Sequence, residues 1–275
     1  MLPINFHQTF IPERRYIAAL LRYAALGNEG TLGEIADQTG IPMGKSSGKA
    51  QATLDYARGM DLIRLANMED KSVKKPILTS FGSIVYAEDR FLGEPMTQGL
   101  AHMNLCSSCG GAIAWHEMFA KGRKTLGSRF SGDQLEEYLV RLFGVVKGKK
   151  RTGPLVLTYV EDEALARSNV LAIEGETIIR EKAPILDAYA IPYSAYILYL
   201  METFFPGQNQ VTLSDFNDRS LWFDICLWNE SDIECILSIV ERKSFISIDR
   251  QMQPWIIEKK ANANHVWPLV YSEIA

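Results

Sequence analysis

Cysteine is scarce in this chain, with four residues in 275. So few thiols cannot frame a chain of this length, which sets aside a disulfide-built secreted scaffold. Long hydrophobic runs are also missing: none approaches the ~20 residues a helix needs to span a bilayer. The opening MLPINFHQTFIPERR lacks the basic-then-apolar order of a signal peptide. Nor is there an excess of one charge, since 29 basic and 33 acidic residues leave −4. The chain as a whole is therefore no magnet for nucleic acid, and an anionic partner must be met by a local patch. What is present is ordinary globular composition, 47% hydrophobic and 23% charged. That is enough to bury a core across two domains, or one domain with an appendage. These features predict a soluble, cytoplasmic protein.

The first ninety residues read as helix, short helix, turn, helix and hairpin. From Glu13 to Leu26 the apolar residues Tyr16, Ile17, Leu20, Leu21 and Ala24 fall on one helical face. Thr31-Leu-Gly-Glu34 is a capping box, and Gly40-Ile-Pro42 makes the turn. Ser46 or Ser47 can cap a third helix running to Met60. Leu62–Leu65 alternates like a strand, and Pro76–Thr79 can return beside it after a polar loop from Met68 to Lys75. This order predicts a winged helix-turn-helix. Beyond it, Ser80–Tyr86 reads as helix, Leu100–Phe119 as buried helices, and Ser131-Gly-Asp-Gln134 as a second capping box.

The last third repeats the pattern. Ser194–Phe205 is a helix stopped by Pro206-Gly207, and a short helix follows near Ser214–Asn217. Ser231-Asp-Ile-Glu234 reads as a third capping box, ahead of the stripe Ile233, Ile236, Leu237 and Val240. Phe245–Asp249 and Trp255–Glu258 can pair as strands. A second, less basic winged-helix-like unit is expected there.

Charge is uneven along the chain. Met43–Thr79 holds seven basic and four acidic residues, and Lys121–Arg151 holds nine and three. Phosphates are gripped by Lys, Arg, hydroxyls and helix N-termini. Lys45, Ser46, Ser47 and Lys49 at the start of the third helix, with Lys71, Lys74 and Lys75 in the wing, are therefore the expected DNA contacts. The dense run Lys147, Lys149, Lys150 and Arg151 is a second phosphate-binding candidate.

Other motifs carry less. Gly44-Lys45-Ser46 resembles the end of a phosphate loop, but the required first Gly falls at Thr39 and no strand precedes it. Cys106 and Cys109, near His102 and His116, could face a metal, but one CxxC lacks the second pair of a zinc module and reads better as core. Glu241-x-Lys243 with Asp224 outlines a metal-dependent nuclease centre, yet its period is helical where such centres use a strand. Glu161, Asp162, Glu163 and Asp187 are further carboxylates explained as solvated surface. No metal-ligand set is assigned. Phe6-His7-Gln8-Thr9-Phe10 places a histidine, a hydroxyl and two aromatics before the first helix; Phe10 can staple that helix, and His7, Thr9 and Arg14 are an alternative N-terminal site.

The order of these pieces resembles a family of bacterial proteins. Phe6-His7-Gln8-Thr9-Phe10 with Arg14 is similar to the Gly-His-Glu-Thr-Phe-x-x-Arg opening of that family. Leu78-Thr-Ser-Phe-Gly82 with Asp89-x-Phe-Leu resembles its Leu-Thr-x-x-Gly…Asp-x-x-Leu stretch. His102 with Trp115 and Phe119, and Glu161-Asp162 with Leu165 and Leu171, resemble two further segments. The family includes SspB-like proteins, encoded with single-stranded DNA phosphorothioation and phage-defence genes. The resemblance implies DNA nicking, which would call for Mg2+ or Mn2+. Here Gln8 stands where the family carries a glutamate, and a carboxamide cannot serve as a base.

The combined expectation is a mainly α (α+β) chain. It has a winged helix-turn-helix DNA-binding domain over 1–90, a helical middle region with a basic loop over 91–185, and a second winged-helix-like domain over 186–275. The expected function is a DNA-binding protein of a phosphorothioate-modification and phage-defence system, with nickase (endonuclease) activity as its enzymatic form. The alternative is a non-enzymatic transcriptional regulator or assembly adaptor. Expected partners are double-stranded DNA and other DNA-modification proteins, with no membrane; a homodimer is compatible with this reading.

Overall fold

The structure is a computed structural model that describes residues 1–43, 48–144, 152–251 and 253–274. Packing divides the chain into two compact units, Met1–Glu181 and Lys182–Ala275. Both are mainly helical, with small antiparallel sheets. Among the described residues no helix is long and apolar enough to cross a membrane.

Unit 1 begins with α1 (Arg14–Ala25), α2 (Leu32–Thr39) and α3 (Gly48–Gly59), followed by the hairpin β1 (Ile63–Leu65) and β2 (Pro76–Leu78). The Thr31–Glu34 capping box forms as expected: the Thr31 hydroxyl accepts from the Glu34 N–H while the Glu34 carboxylate accepts from the Thr31 N–H at 2.7 Å. Gly40 ends α2 in the left-handed region at φ 70°. A backbone bridge between Gly30 and Lys74 adds a third chain segment beside the hairpin loop. Thr79 then caps α4 (Ser80–Glu88) by accepting from the Gly82 N–H at 2.9 Å. A Cβ on Gly82 would lie 1.8 Å from the Leu62 carbonyl oxygen, so only glycine lets α4 lie this close to the entry of β1.

The rest of unit 1 holds α5 (Pro95–Cys106), α6 (Ile113–His116), a π-helical turn (Glu117–Lys121), α7 (Arg123–Leu126), β3 (Arg129–Ser131), α8 (Gly132–Phe143), α9 (Thr152–Val160), β4 (Leu171–Glu174) and β5 (Thr177–Arg180). The Ser131–Gln134 capping box opens α8 as expected. The strands are a departure from the helical middle region the sequence suggested. They form a sheet in the order β3-β5-β4. Each has three or four residues, too few to display a period of two.

Unit 2 contains α10 (Ala190–Phe204), β6 (Gln210–Thr212), α11 (Leu213–Ser220), α12 (Trp222–Ile225), α13 (Glu230–Glu241), β7 (Ile246–Asp249), β8 (Ile256–Lys259) and α14 (Ala263–Val266). Its sheet runs β6-β8-β7, so β8 pairs with β7 as expected and also takes β6, which the sequence did not reveal. One expectation is corrected: α13 is capped by Asn229 and Asp232, not by Ser231 and Glu234. Asn229 sits in extended backbone two residues earlier and accepts from the Asp232 N–H at 2.9 Å, so the helix starts before Ser231 can act as its cap. Ile236, Leu237 and Val240 are buried as the stripe requires. The core of unit 2 is aromatic: the Trp222 and Trp228 rings lie 5.0 Å apart, and Tyr193 meets both edge-on.

Candidate nucleic-acid interface

The start of the third helix was expected to contact DNA, and burial limits what the rest of that helix can offer. Ala50, Ala52, Thr53, Leu54, Asp55, Tyr56, Ala57 and Gly59 are all buried, and Arg58 is the one exposed residue among its described side chains. Unit 1 covers α3 itself. A Cβ on Gly59 would sit within 3 Å of Leu105 on α5 and of Leu2. The Tyr56 hydroxyl donates to the Phe10 carbonyl at 3.0 Å, and Asn104 donates to the Met60 carbonyl at 3.2 Å. The described part of this helix, Gly48–Gly59, therefore leaves only Arg58 exposed to a groove.

Lys49, at the start of α3, pairs with the carboxylate of Glu13 and places its ammonium over the Tyr16 ring, 4.7 Å from the centroid. Burial alone would raise the Glu13 pKa, but Lys49 and Arg15 together hold the carboxyl below the usual range. The Lys49 charge is thus already partnered. Lys45, Ser46 and Ser47 lie outside the described residues, as do Lys147, Lys149, Lys150 and Arg151.

The wing cations are more accessible. Lys71 is exposed and donates to Asn67 and to the Met68 carbonyl. Lys74 donates to the Lys71 carbonyl, and Lys75 pairs with Glu29 at 2.9 Å. Exposed pairs of this kind are worth at most ~1 kcal/mol and yield readily to a phosphate. Further along unit 1, Lys121, Lys124, Arg129 and Arg141 are also exposed. Here α7, β3 and α8 enclose a cleft of about 150 Å³ lined by Thr125, Leu126, Phe130, Gln134, Glu137, Tyr138 and Arg141. The helical periodicity of α8 did not disclose this cleft, because its other wall comes from short elements with no pattern of their own.

The N-terminal candidates separate. Arg14 donates to the Asp162 carbonyl at 2.6 Å and to the Phe91 carbonyl at 3.5 Å, and its own N–H binds the Glu163 carbonyl. It thereby ties together the segments around Arg14, Phe91 and Asp162. Thr9 is exposed. His7 is buried, packs edge-on against Phe6 and Trp115, and finds no hydrogen-bond partner for either ring nitrogen among the described residues. Burial pulls its pKa down to about 4, so it is neutral at pH 7.

His102 is buried deeper, with Nδ1 2.6 Å from the Tyr159 hydroxyl and 3.5 Å from the Cys106 sulfur. Burial, then the nearby Arg180 charge, pulls His102 down to about 3, and burial pushes the Cys106 thiol well up. Arg180 is itself buried, donating to the Phe119 carbonyl at 2.7 Å and lying over the Phe119 ring. His116 is likewise buried, its Nδ1–H donating to the Cys106 carbonyl at 2.8 Å. Cys106 is therefore core, while Cys109 is exposed. Among the described residues no three His, Cys, Asp or Glu side chains converge as a metal site. Glu241 ends α13 and accepts from the Ile248 N–H and Arg250, Lys243 pairs with Glu273, and Asp187 pairs with Arg242. The nuclease outline is thus not assembled.

The molecule is thus a two-unit, mainly α chain in which each unit places a helix ahead of a β-hairpin. The likeness to solved structures is more particular. A magnesium ion-bound SspB crystal structure matches with TM-score 0.69 at 16% identity, over 98% of this chain and 87% of that one. A second SspB crystal structure matches with TM-score 0.67 at the same identity and coverage. The chain therefore has an SspB-like fold. No family profile matches the sequence, and no curated protein does.

Proposed function

We propose that this chain is a DNA-binding protein of a bacterial DNA phosphorothioate-modification system, and that its two helix–hairpin units are winged helices. The observation that carries this reading is the SspB-like fold, which extends over 98% of the chain. The order α1, α2, α3, β1, β2, with Gly30 bridged to Lys74, supports the winged-helix assignment of unit 1. Because α3 is enclosed, unit 1 holds DNA by its phosphates and not by reading base edges from that helix. Lys71, Lys74 and Lys75 supply the described part of the grip; Lys45, Ser46 and Ser47, and Lys147–Arg151, extend it.

Magnesium-dependent nicking is a separate matter. Such chemistry needs carboxylates that converge on the ion. The described side chains do not provide that set, so no step is assigned to a metal. The exposed face of α13 favours a second role for unit 2. It carries Glu230, Ser231, Glu234, Cys235 and Ser238, which suits a protein contact better than a phosphate contact.

Supercoiled plasmid, incubated with and without Mg2+ or Mn2+ and run on agarose, tests the proposal. The expected result is a mobility shift at low salt that fades as salt rises, with or without metal. No shift at any salt would overturn it. Metal-dependent open circles would add nicking to this reading.

A further inference from the structure

The cleft between α7 and α8 is not explained by phosphate contacts. Its volume of about 150 Å³ is well below the ~300–1,000 Å³ of pockets that hold drug-sized ligands, so it fits one planar ring system. Its wall on α8 is Gln134, Glu137, Tyr138 and Arg141, one continuous face at helical spacing; Thr125 and Leu126 close the α7 side, and buried Phe130 forms the apolar floor.

We infer that this cleft takes a single unstacked nucleobase, with the flanking phosphates held by exposed cations of the same two helices, Lys124 and Arg141. The inference rests on the DNA-binding reading above and deepens it. Tyr138 offers a π-face, which is how unpaired bases are held with little regard to sequence. Its ring is fixed by donation of its hydroxyl to Glu117 at 3.2 Å. Burial and the Glu117 charge push its phenol up to about 12, so it stays neutral. Gln134 uses its carbonyl oxygen on the Ser131 N–H, leaving its amide N–H groups to donate to a base edge. Glu137 meets Arg141 at 3.2 Å, but both side chains are about 70% exposed, so the pair is weak. Once it opens, the carboxylate accepts from an exocyclic amine and the guanidinium faces a phosphate. The described residues around the cleft, 121–144, carry five basic and three acidic side chains. An aromatic cleft within a basic stretch is the composition of a site for unpaired nucleic acid.

Fluorescence anisotropy with three labelled oligonucleotides of one sequence tests this: a perfect duplex, the duplex with one bulged cytosine, and the duplex with an abasic bulge. The wild-type protein should bind the bulged cytosine roughly tenfold tighter than the other two, the scale of one base stacked on one aromatic ring. Tyr138→Leu should remove that preference while leaving perfect-duplex affinity unchanged, and Tyr138→Phe should retain it. Arg141→Ala, an exposed change that leaves packing intact, should weaken the bulged duplex more than the perfect one. Equal affinity for base and abasic bulges would overturn the inference, as would an equal loss on all three ligands in Tyr138→Leu. Binding to the perfect duplex with no bulge preference would leave the DNA-binding reading standing and this inference refuted. Binding to none of the three would refute both.

Discussion

Two helices occupy the same place in the order of elements, and their surroundings are opposite. α3 and α13 each directly follow a shorter helix and precede an antiparallel hairpin. α3 is enclosed on nearly every side by its own unit, whereas α13 leaves Glu230, Ser231, Glu234, Cys235 and Ser238 in solvent. Charge follows the same division. Unit 1 has 22 basic and 21 acidic residues, unit 2 has seven and twelve. Five of the seven cations in unit 2 are paired with carboxylates of that unit. An order of elements therefore specifies a scaffold, and which face remains open is decided by what the remainder of the chain packs onto it.

The sharpest way to break the comparison is to place the same group on both helices. Ala52 is fully buried on α3, and Ser238 is exposed on α13. Ala52→Asp inserts an uncompensated charge and should cost about 3–5 kcal/mol. Ser238→Asp should change stability by less than ~0.5 kcal/mol. Thermal unfolding of the two variants reads both. Equal effects would mean that α3 is as accessible as α13.

Acid offers a second contrast of smaller size. His7 and His102 have folded pKa values of about 4 and about 3, below the ordinary 6.5, chiefly because they are buried. Below pH 6.5 the unfolded chain therefore binds more protons than the folded one. The stabilisation is complete above pH 6.5 and is lost as pH falls toward 4, by roughly 1–2 kcal/mol for each histidine at pH 5. Both lie in unit 1, while the one histidine of unit 2, His265, is exposed. Hydrogen exchange at pH 5 against pH 7 should show slow amides of α5 loosening while those of α10 hold. Uniform loosening would contradict this.

Much of the fold was legible because its signals are local. The boxes at Thr31–Glu34 and Ser131–Gln134, the glycine stop at Gly40 and the strands around Arg64 and Ser247 all depend on neighbours within a few residues. At Asn229 two capping patterns overlap, and only the backbone conformation of Asn229 decides between them. β3, β4, β5 and β6 are too short to carry a period. The candidate site was less legible. Lys49 reads as a free cation until Glu13, 36 residues away, is seen to neutralise it. The burial of α3 depends on Leu2, Phe10 and Leu105, which no spacing in the sequence connects to it.

The salt dependence of DNA affinity tests the central claim most directly. Log affinity against log salt should be compared for the wild type, for Lys71→Ala with Lys74→Ala and Lys75→Ala, and for Glu230→Lys with Glu234→Lys. Each phosphate contact contributes about 0.9 to the slope on duplex DNA. If unit 1 grips phosphates through its wing, the first variant should lower the slope by about 2–3 and weaken binding to all sequences alike. The α13 variant should leave both slope and affinity near wild type. An unchanged slope in the wing variant, or a steeper slope and tighter binding in the α13 variant, would contradict the account.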